Sequence, residues 1–149
     1  HNKRKKVKDM RLPDRNIAAL LMIYRKINAW RSEHAAPLGL SSSQVTIIIE
    51  TCKNSGISQT ELVKRLSHEK SVVAKAIAKL IAAGYITREQ NPKDKRAFNL
   101  FPTEKAQEVY PMLVGQGDQC MERVTAGLTP EEKEELGVLL EKMVENTQL

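Results

Sequence analysis

Apolar residues recur at every third or fourth position along most of the chain, which is the period of an α-helix. In residues 71–84 this stripe consists of Val73, Ile77, Leu80 and Ile81. Lys70, Lys75 and Lys79 lie mainly off the stripe. The pattern predicts a helix that buries an aliphatic face and exposes a basic one. Gly84 fits the left-handed position just beyond the end of such a helix.

A shorter amphipathic run precedes this helix. Ser58 stands before the run and Glu61 follows three residues later, so the two residues can form a capping box. Leu62 and Leu66 are four residues apart and share one face. With residues 67–70 as a turn, the segment 58–84 is predicted to be two helices joined by a short connection, which is the order of a helix-turn-helix.

Beyond Gly84 the pattern changes to two short strands around a basic turn. Residues 85–90 and 97–101 are predicted to be the strands, and residues 91–96 the turn that joins them. The turn carries Lys93, Lys95 and Arg96, which could be no more than a solvated polar turn. Cations at a hairpin tip can also reach a phosphate backbone or a minor groove. The whole segment therefore predicts a winged helix-turn-helix.

An amphipathic helix is predicted upstream, from Asp14 to about His34. Asp14 follows Pro13 and can cap this helix. The apolar positions of the helix are Ile17, Leu20, Leu21, Tyr24, Ile27 and Trp30. The stripe can pack within one subunit, or part of it can pack against a second subunit.

Three further helices complete the predicted fold. Ser41 or Ser42 begins one helix, and its three consecutive isoleucines, residues 47–49, indicate burial on more than one side. Thr103 is expected to cap a long helix, and Thr129 with Pro130 marks the start of the last one. We therefore expect a mainly α protein with a small β-wing.

Charge is distributed unevenly along the chain, whose formal net charge is +6. Residues 1–49 contain ten Lys or Arg against three Asp or Glu, residues 50–100 contain ten against five, and residues 101–149 contain four against ten. A basic N-terminal arm and helix-turn-helix thus precede an acidic C-terminal part. This separation is typical of a protein that places one end on phosphates.

Several functional classes are disfavoured by the sequence. It contains no phosphate-binding glycine loop, zinc-protease motif, nucleophile elbow or Cys/His metal cluster, and His34 and His68 are isolated. Cys52 and Cys120 have no disulfide or metal spacing, and a buried structural Cys52 is favoured over a reactive thiol. We expect no enzyme activity, no cofactor, no metal, no membrane span and a cytoplasmic location.

The chain resembles the MarR (multiple antibiotic resistance regulator) family over residues from about 14 to the C-terminus. Asp94-Lys95-Arg96 followed by Thr103-Glu104-Lys105 is similar to the Asp-x-Arg…Leu-Thr-x-x-Gly signature of that family. The segments 40–44, 58–62 and 83–88 agree with the family in order and spacing. Pro102 and Ala106 depart from the signature, and Val72 and Ala74 stand where the family often has hydroxyl residues.

The resemblance implies a bacterial, homodimeric transcription regulator that binds double-stranded DNA at a pseudo-palindromic operator. It would act as a repressor and be released by a small aromatic or phenolic ligand. The residues themselves indicate a basic arm over 1–13, with His1 as a possible tag remnant; this arm could touch DNA or be only a disordered solubilising tail. By the resemblance, residues 14–149 would form a single domain. Within that domain, residues 41–102 would form the winged helix-turn-helix lobe, and residues 14–36 and 103–149 the dimerisation helices.

The resemblance also assigns residues to roles. The helix beginning at Ser71 would be the recognition helix, Arg96 would reach the minor groove, and Asp94 would support Arg96 through a salt bridge. The residues expected at the DNA are Ser58, Gln59, Lys70, Ser71, Lys75, Lys79, Lys93, Asp94, Lys95 and Arg96. Those expected to line a ligand pocket are Tyr24, Trp30, Arg31, Ile48 and Cys52. The alternative is a winged-helix protein-interaction module that binds no specific DNA, since fold does not determine function.

Overall fold

The computed structural model describes residues 10–66 and 68–147, and the predicted fold class is confirmed. The described residues are mainly helical, with one small antiparallel sheet of strand order β1-β3-β2. The helices are α1 Leu12–Ala35, α2 Ser42–Lys53, α3 Gln59–Leu66, α4 Lys70–Ala82, α5 Glu104–Val124 and α6 Pro130–Asn146. The strands are β1 Ile57–Ser58, β2 Ile86–Gln90 and β3 Phe98–Pro102. Two compact units meet in sequence between Gly117 and Asp118.

Helix α1 begins two residues earlier than the sequence predicts. Arg11 is the residue before the first turn, Pro13 lies within that turn, and Asp14 is already helical. The Asp14 carboxylate pairs with the Arg11 guanidinium at 2.8 Å instead of capping the backbone. Proline is well suited to the first turn, where an amide N–H has no helical partner. The expectation that Asp14 caps α1 is therefore wrong. Most of the proposed basic arm, residues 1–9, lies outside the described residues.

Helix α2 forms the centre of the core in the first unit. Ser41 caps it through a full capping box with Gln44, in which each side chain accepts from the other residue's backbone N–H. Ile47 and Ile48 are wholly buried and Ile49 nearly so, as the consecutive isoleucines predict. Because these side chains point in different directions around α2, the helix is packed on more than one side.

Helices α3 and α4 have the predicted helix-turn-helix order. Ser58 Oγ accepts a hydrogen bond from the Glu61 N–H at 3.1 Å, so half of the predicted capping box forms. The Glu61 carboxylate instead accepts from Arg65 Nε at 3.3 Å. The predicted stripe of α4 is buried at Val73, Ile77 and Leu80, and Ile81 is half-buried. Gly84 follows with a φ of +81°, which is the left-handed conformation expected at this end.

The wing contains one strand more than the sequence predicts. Strands β2 and β3 form the expected hairpin, with Arg88 opposite Leu100 and Gln90 opposite Phe98. The added strand β1 pairs with the other side of β3, placing Ile57 opposite Leu100. Ile57 and Leu100 are buried, so β1 fixes the wing to the helical core.

The last two helices begin as predicted. Thr103 Oγ1 accepts from the Ala106 N–H at 3.4 Å and donates to the Gly84 carbonyl at 2.6 Å, which ties the start of α5 to the end of α4. In the second unit, Thr129 and Glu132 form a capping box at the start of α6, with Pro130 in its first turn.

Candidate nucleic-acid interface

Helix α4 exposes a polar side opposite its buried stripe. Ser71, Lys75 and Lys79 follow one another at intervals of four residues, and all three are exposed. At 100° per residue they lie on the side of α4 facing away from Val73 and Ile77. Such an arrangement can bring several donors to one groove of a duplex, because the other side of the helix is already committed to the core.

The tip of the wing is held by short hydrogen bonds within the turn. Asn91 Oδ1 accepts from the Lys93 N–H at 2.9 Å, and Asp94 Oδ1 accepts from the Arg96 N–H at 3.0 Å. The Ala97 N–H donates to the Asp94 carbonyl at 3.0 Å. Lys93, Lys95 and Arg96 remain exposed. The turn therefore presents three cationic side chains on a backbone with a defined conformation.

Asp94 supports Arg96 differently from what the resemblance implies. In the described residues, the ion pairs within 4.0 Å are Arg11 with Asp14 and Arg65 with Glu50 and Glu61. The carboxylate of Asp94 holds the backbone of Arg96 and not its guanidinium. The expected salt bridge is thus absent from these contacts, and Arg96 keeps its charge available.

The start of α4 and the wing meet at a cleft of about 420 Å³. Lys70 and Arg96 both line it, so two residues that are distant in sequence lie around one cleft. Lys64 from α3 and Arg88 from β2 also line it, and neither is marked by a pattern in the sequence. Lys64 and Arg88 line the cleft because α3, α4 and the wing pack together there. A local sequence pattern does not reveal such packing.

Ser58 and Gln59 lie at the start of α3. Ser58 is half-buried, and its hydroxyl is occupied by the Glu61 N–H. Gln59 lines the same cleft as Lys70 and Arg96. The Oε1 atom of Gln59 is buried without a hydrogen-bond partner, which is the one such side-chain atom among the described residues that are not exposed. An unpaired buried amide is costly, so this position favours a partner that the protein itself does not supply.

A second cavity, of about 460 Å³, lies between α1, α2 and the end of α3. It is lined by Tyr24 and Arg31, two of the residues expected at a ligand pocket, together with Arg65 and His68. Serine, threonine and asparagine side chains supply further polar atoms, and no carboxylate is among the lining residues. This lining is suited to an organic anion with an aromatic or aliphatic body.

Two arginines of this cavity already have partners. Arg31 Nη1 donates to Thr46 Oγ1 at 2.7 Å. Arg65 lies 3.1 Å from a Glu50 carboxylate oxygen on α2 and 3.3 Å from one of Glu61 on its own helix. These hydrogen bonds raise the pKa of Arg65 above its ordinary value. Arg65 thus connects α2 and α3 at the edge of the cavity.

Three residues of the predicted pocket lie elsewhere. Trp30 donates its Nε1–H to the Gln116 carbonyl at 3.0 Å and stacks on His34 with ring centroids 3.9 Å apart. Ile48 is wholly inside the core, and Cys52 is half-buried against the same core. None of these three residues lines the cavity that contains Tyr24 and Arg31, because their side of each helix is filled by packing.

The cysteines are free thiols in this structure. Burial raises the pKa of the Cys52 thiol above its ordinary value, which lowers its thiolate fraction at neutral pH. This environment favours the structural role over the reactive one. Among the described residues, no group of three or more His, Cys, Asp or Glu side chains is placed to hold a metal ion. No helix in residues 10–66 and 68–147 has the length and apolarity to cross a membrane.

Comparisons with known proteins show which family the chain resembles in sequence. The model of the MarR family matches residues 38–97. A Bacillus subtilis protein named "uncharacterized HTH-type transcriptional regulator YybA" is 32% identical over 125 residues, which cover 84% of this chain and 83% of that protein. Its name is that of a transcriptional regulator and not of an enzyme.

Solved structures give the same result for the fold. A MarR protein from Peptoclostridium difficile matches with a TM-score of 0.83 and 35% identity, covering 88% of this chain and 86% of that one. A putative MarR-family regulator from Listeria monocytogenes, solved in complex with a 26mer DNA, has a TM-score of 0.83 and 29% identity, with 87% of each chain covered. By sequence and fold together, this chain belongs to the MarR family of winged helix-turn-helix transcriptional regulators.

Proposed function

We propose that this chain is a homodimeric repressor that binds a pseudo-palindromic operator through α4 and the wing. The observation that carries the proposal is the meeting of the α4 and wing cations, Lys70 and Arg96, at one cleft. Lys75 and Lys79 add exposed cations further along α4, and Lys93 and Lys95 add them at the wing tip. The Listeria monocytogenes relative, which was solved in complex with DNA, supports DNA as the binding partner.

In this proposal the two parts of the surface have different tasks. Ser71, Lys75 and Lys79 would face a major groove, where lysine can contact base edges or flanking phosphates. Arg96, with Lys93 and Lys95 beside it, would reach the adjacent minor groove or its phosphates. Asp94 would act indirectly, because its carboxylate holds the backbone from which Arg96 projects.

A dimer is proposed because two helices carry bare apolar faces. Ile17 on α1 is 58% exposed and Val144 on α6 is 57% exposed. Monomeric soluble proteins rarely leave several neighbouring apolar side chains in water. Pairing two copies about a two-fold axis would bury these faces and place two α4 helices on successive major grooves, about 34–36 Å apart.

Preference for operator DNA tests the proposal directly. We expect the purified protein to bind DNA from upstream of its own coding sequence at least about 1,000-fold more tightly than random DNA of equal length. Affinity for both DNAs should fall steeply with salt, because phosphate contacts release counterions. Equal affinity for the two DNAs over the whole salt series would contradict a sequence-specific regulator acting at that site.

We further propose that an aromatic or phenolic anion binds the cavity lined by Tyr24 and Arg31 and weakens DNA binding. The cavity carries arginine and histidine side chains and no lining carboxylate, which suits an anion. It adjoins Leu66 and Arg65 at the end of α3. A ligand there would compete for Arg65 with Glu50 and Glu61, and so shift the helix-turn-helix relative to α2.

Removing the charge of Arg31 should abolish the ligand response while leaving DNA binding intact. Salicylate, which carries a carboxylate and a phenol, should weaken operator binding of the unmodified protein by at least about fivefold. Arg31→Gln should remove this effect, because the cavity loses a cation. Arg25→Gln, an exposed arginine of α1 that does not line the cavity, is the matched control. An unchanged response in Arg31→Gln would show that the ligand acts elsewhere.

The interaction-module alternative keeps one supporting observation. Val72 is 47% exposed on α4, where a hydroxyl would provide a hydrogen-bonding group for DNA. An exposed apolar side chain can also contact a thymine methyl group, so this residue fits either function. Failure of the protein to bind any DNA at low salt would favour the alternative.

A further inference from the structure

The cleft between α3, the start of α4 and the wing is lined by four cations and by no carboxylate. Lys64 comes from α3, Lys70 from α4, Arg88 from β2, and Arg96 from the turn before β3. None of the four forms an ion pair within 4.0 Å with a described residue, whereas Arg65 next to Lys64 pairs with two glutamates. The protein therefore neutralises one arginine of α3 and leaves this group of four charged.

Arg88 is held in place within the cleft by an aromatic ring. Its guanidinium carbon lies 4.4 Å from the centroid of the Phe98 ring. The sheet register explains the contact. Arg88 on β2 is opposite Leu100 on β3, and Phe98 precedes Leu100 by two residues on β3, so Phe98 is a diagonal neighbour of Arg88. Stacking on a ring restricts the guanidinium without using its N–H donors, so these donors remain available to an acceptor in the cleft.

Gln59, whose buried Oε1 atom has no hydrogen-bond partner, lies at the same cleft. A 180° rotation of the Gln59 amide about the Cγ–Cδ bond exchanges Oε1 and Nε2. The NH2 group then stands at the buried position and can donate to an anionic oxygen. The cleft thus combines four cations with one amide side chain whose buried oxygen lacks a partner. An anion with several acceptor oxygens satisfies both features.

We propose that this cleft seats a backbone phosphate of the bound DNA, with Lys64 and Arg88 as its principal contacts. The inference rests on the proposed DNA binding and adds two residues to it. The cleft lies at the start of α4, at the place where α3 and the wing converge. A phosphate held there would fix the position of the wing relative to the helix-turn-helix. It would add affinity without reading sequence.

The test is the salt dependence of DNA binding by Arg88→Gln and Lys64→Gln. Together the two substitutions remove the principal contacts to one phosphate per subunit, so in the double variant the slope of log K against log salt should become less steep by about 1.8, and in each single variant by a smaller amount. Operator affinity at low salt should fall about tenfold or more, because a charge-assisted contact is lost in each subunit. The ratio of operator to random affinity should stay at its original value.

Two further variants test whether the loss comes from the charge of Arg88, from its stacking on Phe98, or from a change in the net charge of the protein. Arg88→Lys keeps the cation but loses the planar stacking on Phe98, so it should keep the original salt slope with a smaller loss of affinity. Lys142→Gln removes a cation of α6, outside the winged helix-turn-helix, and should behave as the unmodified protein. Thermal unfolding of each variant should match that of the unmodified protein, because Lys64 and Arg88 are exposed.

Three outcomes would overturn the phosphate assignment. Unchanged slope and affinity in Arg88→Gln and Lys64→Gln would remove both residues from the interface while leaving the proposed function intact. A changed ratio of operator to random affinity would show that these residues read bases. Absence of any operator preference in the unmodified protein would remove the proposed function itself, and this inference with it.

Discussion

Leu21→Asp should convert the proposed dimer into monomers and abolish tight operator binding. Leu21 is 49% exposed on α1, so the substitution costs a single folded chain little. In a dimer it would bury an unpaired carboxylate in each subunit, at a cost of about 5 kcal/mol in total. The dimer Kd should therefore rise by roughly three to four orders of magnitude. Operator affinity should fall at least about 100-fold, because one recognition helix remains per particle.

The choice of Leu21 follows from the continuity of one stripe along α1. Positions 17, 21, 24, 28, 31 and 35 follow one another at alternating intervals of four and three residues. The C-terminal part of this stripe is in contact with α2: Asn28 accepts from Ser42 Oγ at 2.9 Å, Arg31 donates to Thr46, and Ala35 is wholly buried. The N-terminal part continues in the same direction but stays bare, which favours a second copy as its cover.

Sedimentation velocity at micromolar concentration and DNA binding of the same samples would check this prediction. Ala19→Asp is the matched control, because Ala19 is exposed on the opposite side of α1 and the new charge would stay in water. Helical circular dichroism should be retained in both variants. A dimeric Leu21→Asp protein would place the dimer contact elsewhere, and the bare face of α6 would be tested next with Leu139→Asp.

The helices could be predicted from sequence because each carries a complete local signal. In α4 the buried stripe, the exposed lysines and the terminal Gly84 all agree, and the structure confirms that helix. Strand β1 could not be predicted in this way. It has two residues, Ile57 and Ser58, and exists because it pairs with β3 some forty residues later. A two-residue element has no alternation to detect, so only the tertiary pairing defines it.

The residues of the candidate site fall into the same two groups: those that a local sequence pattern predicts and those that only tertiary packing defines. Lys75 and Lys79 were predictable as exposed cations, since their position follows from helical geometry and the buried stripe. Arg88 depends on the β2–β3 register, which brings it onto Phe98, and the sequence alone did not single it out. Ile48 and Cys52, which the sequence analysis expects at a ligand pocket, lie instead in or against the core. Their helix faces the core on that side, so their apolar character is used in packing and not in lining a cavity.

Arg96→Ala should weaken operator binding by about 30- to 20,000-fold without changing the stability of the dimer. Its side chain is exposed and forms no ion pair with a described residue, so the folded chain loses little. A DNA contact of this kind contributes about 1–3 kcal/mol, and a dimer carries two of them. Titration of operator DNA, together with thermal unfolding of the free protein, would measure both quantities. Unchanged affinity would exclude the wing from the interface.

Comparison with Arg96→Lys and two Asp94 variants would establish how the wing works. Arg96→Lys keeps the charge, so recovery of most of the affinity would indicate a phosphate contact, whereas a persistent loss would indicate that the flat guanidinium enters the minor groove. Asp94→Asn keeps an acceptor for the Arg96 N–H and should retain most of the affinity. Asp94→Ala removes that acceptor and should lose more, because the turn no longer fixes the residue that contacts DNA. Equal losses in the two Asp94 variants would show that the carboxylate charge matters, and that Asp94 pairs with the Arg96 side chain once DNA is bound.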